Sequence, residues 1–142
     1  MRNLILATVF ACGVPGFFVA AEMDQNTEAT AHSYKEVSTT ELKSWYDQKK
    51  PMVVIDARKK ENFDNTMLPE AKWLPFDTTD MNVVAATIPS KDSVVVIYSC
   101  DGGCYASEHL GDELVKMGYT NVYDYRAGLK EWKDLKYPTV QK

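Results

Sequence analysis

Val94-Val95-Val96-Ile97-Tyr98 is the stretch that most constrains the fold. A half-exposed strand alternates apolar and polar residues, because successive side chains point to opposite faces. This run does not alternate, so it must be buried on both faces, in the middle of a sheet covered on both sides. The residues after Tyr98 fix the connection. Ser99 to Tyr105 is a loop with two cysteines and two glycines. Ala106, Leu110, Leu114 and Met117 then recur at helical spacing, with Val115 beside them, while Glu108, His109, Asp112, Glu113 and Lys116 fall on the other face. His109 is therefore expected to be exposed. Gly118 stands where a helix ends in the left-handed conformation that glycine adopts without strain.

The rest of the chain repeats this grammar. Met52-Val53-Val54-Ile55-Asp56 is a second buried strand closing on an acid. Val37-Ser38-Thr39-Thr40-Glu41-Leu42 opens a helix, with Ser38 and Glu41 at capping-box spacing and Leu42, Trp45 and Tyr46 on one face. Trp45 is expected in the core. Lys59 to Asn65 forms a short helical or turn segment, and Leu68 to Pro75 a short strand between prolines. Val83, Val84 and Ile88 allow a short helix. Asn121 to Tyr125 is a last strand, and Ala127-Gly128 turns into a helix with Leu129, Trp132 and Leu135. Tyr137-Pro138 closes the domain. Helix and strand alternate throughout, which predicts an α/β fold: an open parallel sheet of about five strands with helices on both faces.

The sequence is expected to divide into three parts. Residues 1–21 read as a secretory signal, with Arg2 at the start, an apolar run from Leu4 to Ala20 and small residues before Glu22. The run is short for a membrane span and contains Gly13, Pro15 and Gly16. Val9-Phe10-Ala11-Cys12 also loosely resembles a lipoprotein box. Cleavage after Ala21 removes Cys12 and implies a periplasmic or secreted protein with no stable membrane insertion. Residues 22–36, polar and without period, read as a flexible leader in which His32 is a solvated bystander. Residues 37–142 form the domain. The whole chain carries a net charge of −4 and no basic block, which excludes a nucleic-acid footprint.

The chemistry belongs in the loop after the central strand, because sites in open parallel sheets lie outside the carboxyl ends of the strands. Cys100 is placed there. Gly102 and Gly103 let the backbone of Asp101 to Ala106 turn tightly, so that amides can face one anion, and the helix beginning near Tyr105 adds its positive end. Asp101 opposes a second negative charge. Cys100 and Cys104 are four apart and can act as attacking and resolving thiols, as a static disulfide, or, least well, as metal ligands with His109, for which third and fourth partners are missing. No metal or cofactor is expected. Asp56 and Arg58 are expected to support the site by tying the strand end to neighbouring loops.

These residues resemble the rhodanese-like family from about Val37 to Val140. Val53-Val54-Ile55-Asp56-Ala57-Arg58 is similar to its first strand with Asp-x-Arg. Leu68-Pro69-Glu70-Ala71 and Leu74-Pro75 are similar to its Gly-His-Ile-Pro-Gly-Ala segment, with Thr66 and Met67 at the positions of the first Gly and the His. Gly118 to Tyr123 and Ala127-Gly128-Leu129-Lys130-Glu131-Trp132 are similar to its closing strand and its Gly-Gly-x-x-x-Trp helix. The resemblance implies two-step sulfur transfer: a thiolate at Cys100 takes a sulfane sulfur as a persulfide and an acceptor removes it, with Cys104 as resolving thiol. The implied partners are a small sulfur donor or a periplasmic protein thiol. The family's loop carries an Arg or Lys five positions after its cysteine, but Tyr105 stands there, and no cation lies between Ser99 and His109. The related phosphatases end their loop in Arg where this chain has Ala106. The loop loosely resembles that of exported rhodanese-like proteins with Cys-x-x-Cys-Trp, linked to quinoprotein-dependent catabolism. A non-catalytic accessory module with a structural Cys100–Cys104 disulfide, or thiol–disulfide exchange, are the other functions these residues allow.

Overall fold

A computed structural model describes residues 34–78 and 80–142. The expectations on the export signal, on Cys12 and on His32 lie outside the described residues. Five strands form one parallel sheet: β1 (Lys35–Glu36), β2 (Val53–Asp56), β4 (Lys72–Trp73), β5 (Val94–Tyr98) and β6 (Asn121–Tyr125), in the order β1-β6-β5-β2-β4. The unalternating run is the central strand, as its composition requires. Val95 and Ile97 join Ile55 in a core with Val84 of α2 (Met81–Thr87), Ile88 at its C-cap, and Leu110 and Leu114 of α3 (Ala106–Lys116). Val96 and Tyr98 join Val54 on the opposite face, with Leu42 and Trp45 of α1 (Thr39–Asp47) and Leu129 and Trp132 of α4 (Gly128–Asp134). Helices therefore cover both faces.

Local signals hold where they were strongest. Ser38 caps α1 by accepting the Glu41 amide at 3.2 Å. Gly118 sits at φ 89°, and the Gly118 and Tyr119 amides bond back to Val115 and Leu114 at 2.9 and 3.0 Å. That is a Schellman ending. Trp45 is buried and His109 exposed, its ring packed edge-on to Phe76.

Two features differ from the expectations. The leader boundary moves: β1 lies within the stretch assigned to residues 22–36 and pairs with β6, and the Val37 amide continues the ladder to the Asp124 carbonyl at 3.0 Å. Two strand residues are too few to show a period, so only the exposed edge of β6 makes a strand of them. Past Tyr137-Pro138, β7 (Val140–Gln141) pairs antiparallel with β3 (Thr66–Met67) in a second small sheet. That pairing joins segments far apart in sequence, which no local signal encodes.

Candidate functional site

The parallel register brings three strand ends level. Asp56 pairs beside Tyr98, and Tyr98 beside Tyr125. The loops leaving β2, β5 and β6 thus emerge together, and the site is built from them.

The loop after β2 supplies a rigid floor. The Asp56 carboxylate is fully buried and Arg58 is 3% exposed. The guanidinium donates to Asp56 through Nε at 3.0 Å and Nη2 at 2.7 Å, while the Arg58 amide donates at 3.1 Å and the Tyr98 hydroxyl at 2.8 Å. Tyr98 in turn accepts the Leu68 amide at 3.2 Å. Arg58 reaches on to Asp64 at 3.0 Å and to the Thr66 carbonyl at 2.6 Å. The buried pair is thus hydrogen-bonded on every side, which is the condition for burying charge at all. Asp56 and Arg58 tie the end of β2 to Tyr98 and to the segment of Asp64 and Thr66.

The loop after β6 braces the cysteine loop from the other side. Arg126-Ala127 leads to Gly128 at φ 69°, and the Leu129 and Lys130 amides donate to the Ser99 and Cys100 carbonyls at 3.0 and 2.9 Å. A Cβ at Gly128 would lie 2.8 Å from the Ser99 oxygen and 2.9 Å from the Asp101 nitrogen. Glycine is needed here for both reasons.

Between these walls, Cys100 lines a cavity of about 340 Å³ with Arg58, Asp64, Asp101, Lys130 and Lys133. The last two are residues that sequence reasoning passed over. The loop itself has no cation, but α4 contributes two lysines to the lining of the same cavity. The only sequence signal was their place in and just after the Gly-Gly-x-x-x-Trp segment.

Cys100 and Cys104 are free, half-buried thiols in hydrogen-bonding contact. Their environments are opposite. Cys100 is pushed up to about 11 by burial, by donating its hydrogen to Cys104 and by the charge of Cys104, with Asp101 adding to the effect and Arg58 opposing it. Burial raises Cys104 too, but hydrogen bonds from the Ala106 and Cys100 amides and from the Cys100 thiol bring it below the ordinary thiol value, and Ser99, whose hydroxyl donates to the Cys104 carbonyl at 3.0 Å, adds to the effect. Of the two, Cys104 is therefore the thiol that ionises more readily, beside the start of α3 and packed on the core. The expected anion cradle is divided differently from the sequence picture. Gly103 donates to the Asp101 carboxylate at 2.9 Å and the Cys104 amide to the Asp101 carbonyl at 3.1 Å, so these two close the turn. Neither Gly102 nor Gly103 is left-handed. Tyr105 is 70% exposed and stacks near Arg126, and Ala106 is buried. Among the described residues, no group of three or more His, Cys, Asp or Glu could hold a metal ion.

Residues 38–135 match the family described as the rhodanese-like domain. The chain belongs to the rhodanese-like family. It is 31% identical over 103 residues to the adenylyltransferase and sulfurtransferase UBA4 of Candida albicans, a match covering 69% of this chain and 23% of that protein. The chain thus spans less than a quarter of that relative's length. Among solved structures, the BH2092 protein of Bacillus halodurans superposes with a TM-score of 0.68 at 18% identity, covering 77% of each chain. Thiosulfate sulfurtransferase from Pseudomonas aeruginosa gives 0.57 at 17% identity, over 76% of this chain and 20% of that one. The structural matches establish the rhodanese-like fold, and sulfurtransferases are among the relatives.

Proposed function

We propose that this rhodanese-like domain is an exported, periplasmic or secreted, sulfurtransferase or sulfur carrier, forming a persulfide on Cys100 with Cys104 as its resolving thiol. The observation that supports this reading is the division of the pair: Cys100 lines the cavity, while Cys104 lies behind it as the better-stabilised thiolate.

The chemistry follows from that division. Cys104 accepts the Cys100 proton along their hydrogen bond, and the Cys100 thiolate attacks the sulfane sulfur of a donor R–S–SH. The donor S–S bond breaks, RS⁻ leaves with its electron pair, and the proton parked on Cys104 neutralises it as RSH. The product is Cys100–S–SH, with Cys104 a thiolate again. An acceptor nucleophile can then take the outer sulfur. Alternatively, Cys104 attacks the inner sulfur, forming the Cys100–Cys104 disulfide and releasing HS⁻, and a protein dithiol returns the pair to its reduced form. Asp56 and Arg58 keep the floor of the cavity fixed throughout.

The test is mass spectrometry of reduced protein after treatment with several sulfane donors. The expected result is the mass of one sulfur on Cys100, longer-lived in Cys104→Ser and absent from Cys100→Ser. The absence of an adduct with every donor, together with a pair that resists mild reductant, would sink this reading in favour of an accessory module with a structural disulfide.

A further inference from the structure

The cavity in front of Cys100 constrains the chemistry of the donor. It is lined by three cations, Arg58, Lys130 and Lys133, and three carboxylates, Asp64, Asp101 and Asp134. The charges are interleaved. Lys130 Nζ lies 2.7 Å from Asp134, Lys133 Nζ 3.8 Å from Asp64, and Arg58 Nη1 3.0 Å from Asp64. Arg58 is also committed to Asp56 below the floor. A donor that is only anionic meets, beside each of the two ammonium groups, the carboxylate already paired with it. A donor carrying both signs satisfies both members of an exposed pair at once, and like charges are never set against each other. The two pairs are open to solvent and so within reach of a donor: Lys130 and Asp134 are 67% and 61% exposed, Lys133 and Asp64 50% and 51%. At about 340 Å³ the cavity lies at the small end of ligand sites, which run from roughly 300 to 1,000 Å³. That leaves room beyond the sulfur for a compact organic group.

We infer that the donor, on the sulfur-transfer reading above, is a small zwitterionic aminothiol persulfide, of which cysteine persulfide is the simplest, held through its carboxylate and ammonium by the Lys130–Asp134 and Lys133–Asp64 pairs. The transfer is balanced without an added oxidant or reductant. Cys100–SH and R–S–SH give Cys100–S–SH and R–SH: one S–S bond forms at the Cys100 sulfur, one breaks in the donor, and the leaving thiolate takes the proton from Cys104.

The experiment measures initial rates of sulfur loading on the reduced protein by mass spectrometry, with cysteine persulfide, 3-mercaptopropionate persulfide (which lacks the ammonium) and thiosulfate at equal concentrations. Cysteine persulfide is expected to load at least about tenfold faster than thiosulfate and than the ammonium-free persulfide, the like-charge contacts of the anions being the difference. Asp134→Ala removes one carboxylate and frees Lys130. It is expected to slow cysteine persulfide by about threefold and to speed thiosulfate, a size typical of exposed ion pairs. Equal loading by all three, or thiosulfate in the lead, overturns the zwitterion and leaves sulfur transfer standing. No loading by any donor overturns both. If Asp134→Ala shifts all donors in the same direction, the ion pairs do not select the donor and the inference fails.

Discussion

Gly128→Ala tests whether the start of α4 holds the cysteine loop in place. An alanine at φ 69° costs about 1–2 kcal/mol from the left-handed backbone alone. Its Cβ would also lie 2.8 Å from the Ser99 oxygen and 2.9 Å from the Asp101 nitrogen and the Cys100 carbonyl carbon. All three are backbone atoms, so no side chain can swing aside, and the loop or the helix has to shift. Relief of such overlap costs about 1–3 kcal/mol more, for a total of about 2–5 kcal/mol. Gly118→Ala is the internal reference. Gly118 is also left-handed, at φ 89°, but nothing lies within 4 Å of its added Cβ, so only the backbone term applies. Urea denaturation of the two variants should therefore differ by about 1–3 kcal/mol, with Gly128→Ala the less stable. Under conditions where both remain folded, Gly128→Ala should also lose about tenfold or more in sulfur loading, because the shift moves Cys100 relative to the cavity. Gly118→Ala, at the far end of α3, should not. Equal destabilisation of the two, with loading unchanged in both, would refute the brace between α4 and the loop.

Two further outcomes rest on the thiol pair and the buried charges. Cys100 holds its proton up to about 11 in the folded protein against an ordinary 9.0, so the native state binds that proton more tightly and stability falls as pH rises through that window. Cys104 has the opposite sign: its charge is favoured in the fold, so its contribution is complete above the ordinary value and fades as pH falls through its lowered native one. Alkylation of the reduced protein followed by peptide mapping should thus label Cys104 before Cys100 as pH is raised, and the reverse order would contradict the assigned polarity. Asp56→Asn keeps the shape of its side chain but leaves the buried Arg58 guanidinium with only the half-exposed Asp64 as counter-charge, which should cost about 3 kcal/mol in urea denaturation, the low end for a broken buried pair. A loss below about 1 kcal/mol would mean that water reaches the pair and screens it.

The fold was legible wherever burial imposes a pattern on neighbouring residues. Val94 to Tyr98 can be apolar throughout only at the centre of a covered sheet, and the spacing of Leu110 and Leu114 can arise only on a helix with one buried face. Elements set by a partner's edge were not legible. Lys35–Glu36 and the Thr66–Met67 pairing with Val140–Gln141 are two-residue strands whose conformation comes from the ladder they complete.

The site divides in the same way. The sequence by itself determined that two cysteines stand after the central strand, that the loop carries no cation, and that Asp56 and Arg58 close the strand beside it. Each of these is a matter of composition along a short stretch. Only the tertiary structure decided which sulfur ionises more readily and which faces the cavity. The Cys104 sulfur gains donors from residues on either side of it in the loop, and Cys100 is walled by Arg58 and by Lys130 and Lys133 of α4. Hydrogen bonds and Coulomb interactions act through space over a few ångströms. Parallel strands ending level bring together side chains that the chain keeps far apart, so the charged lining of the cavity exists only once the sheet has formed.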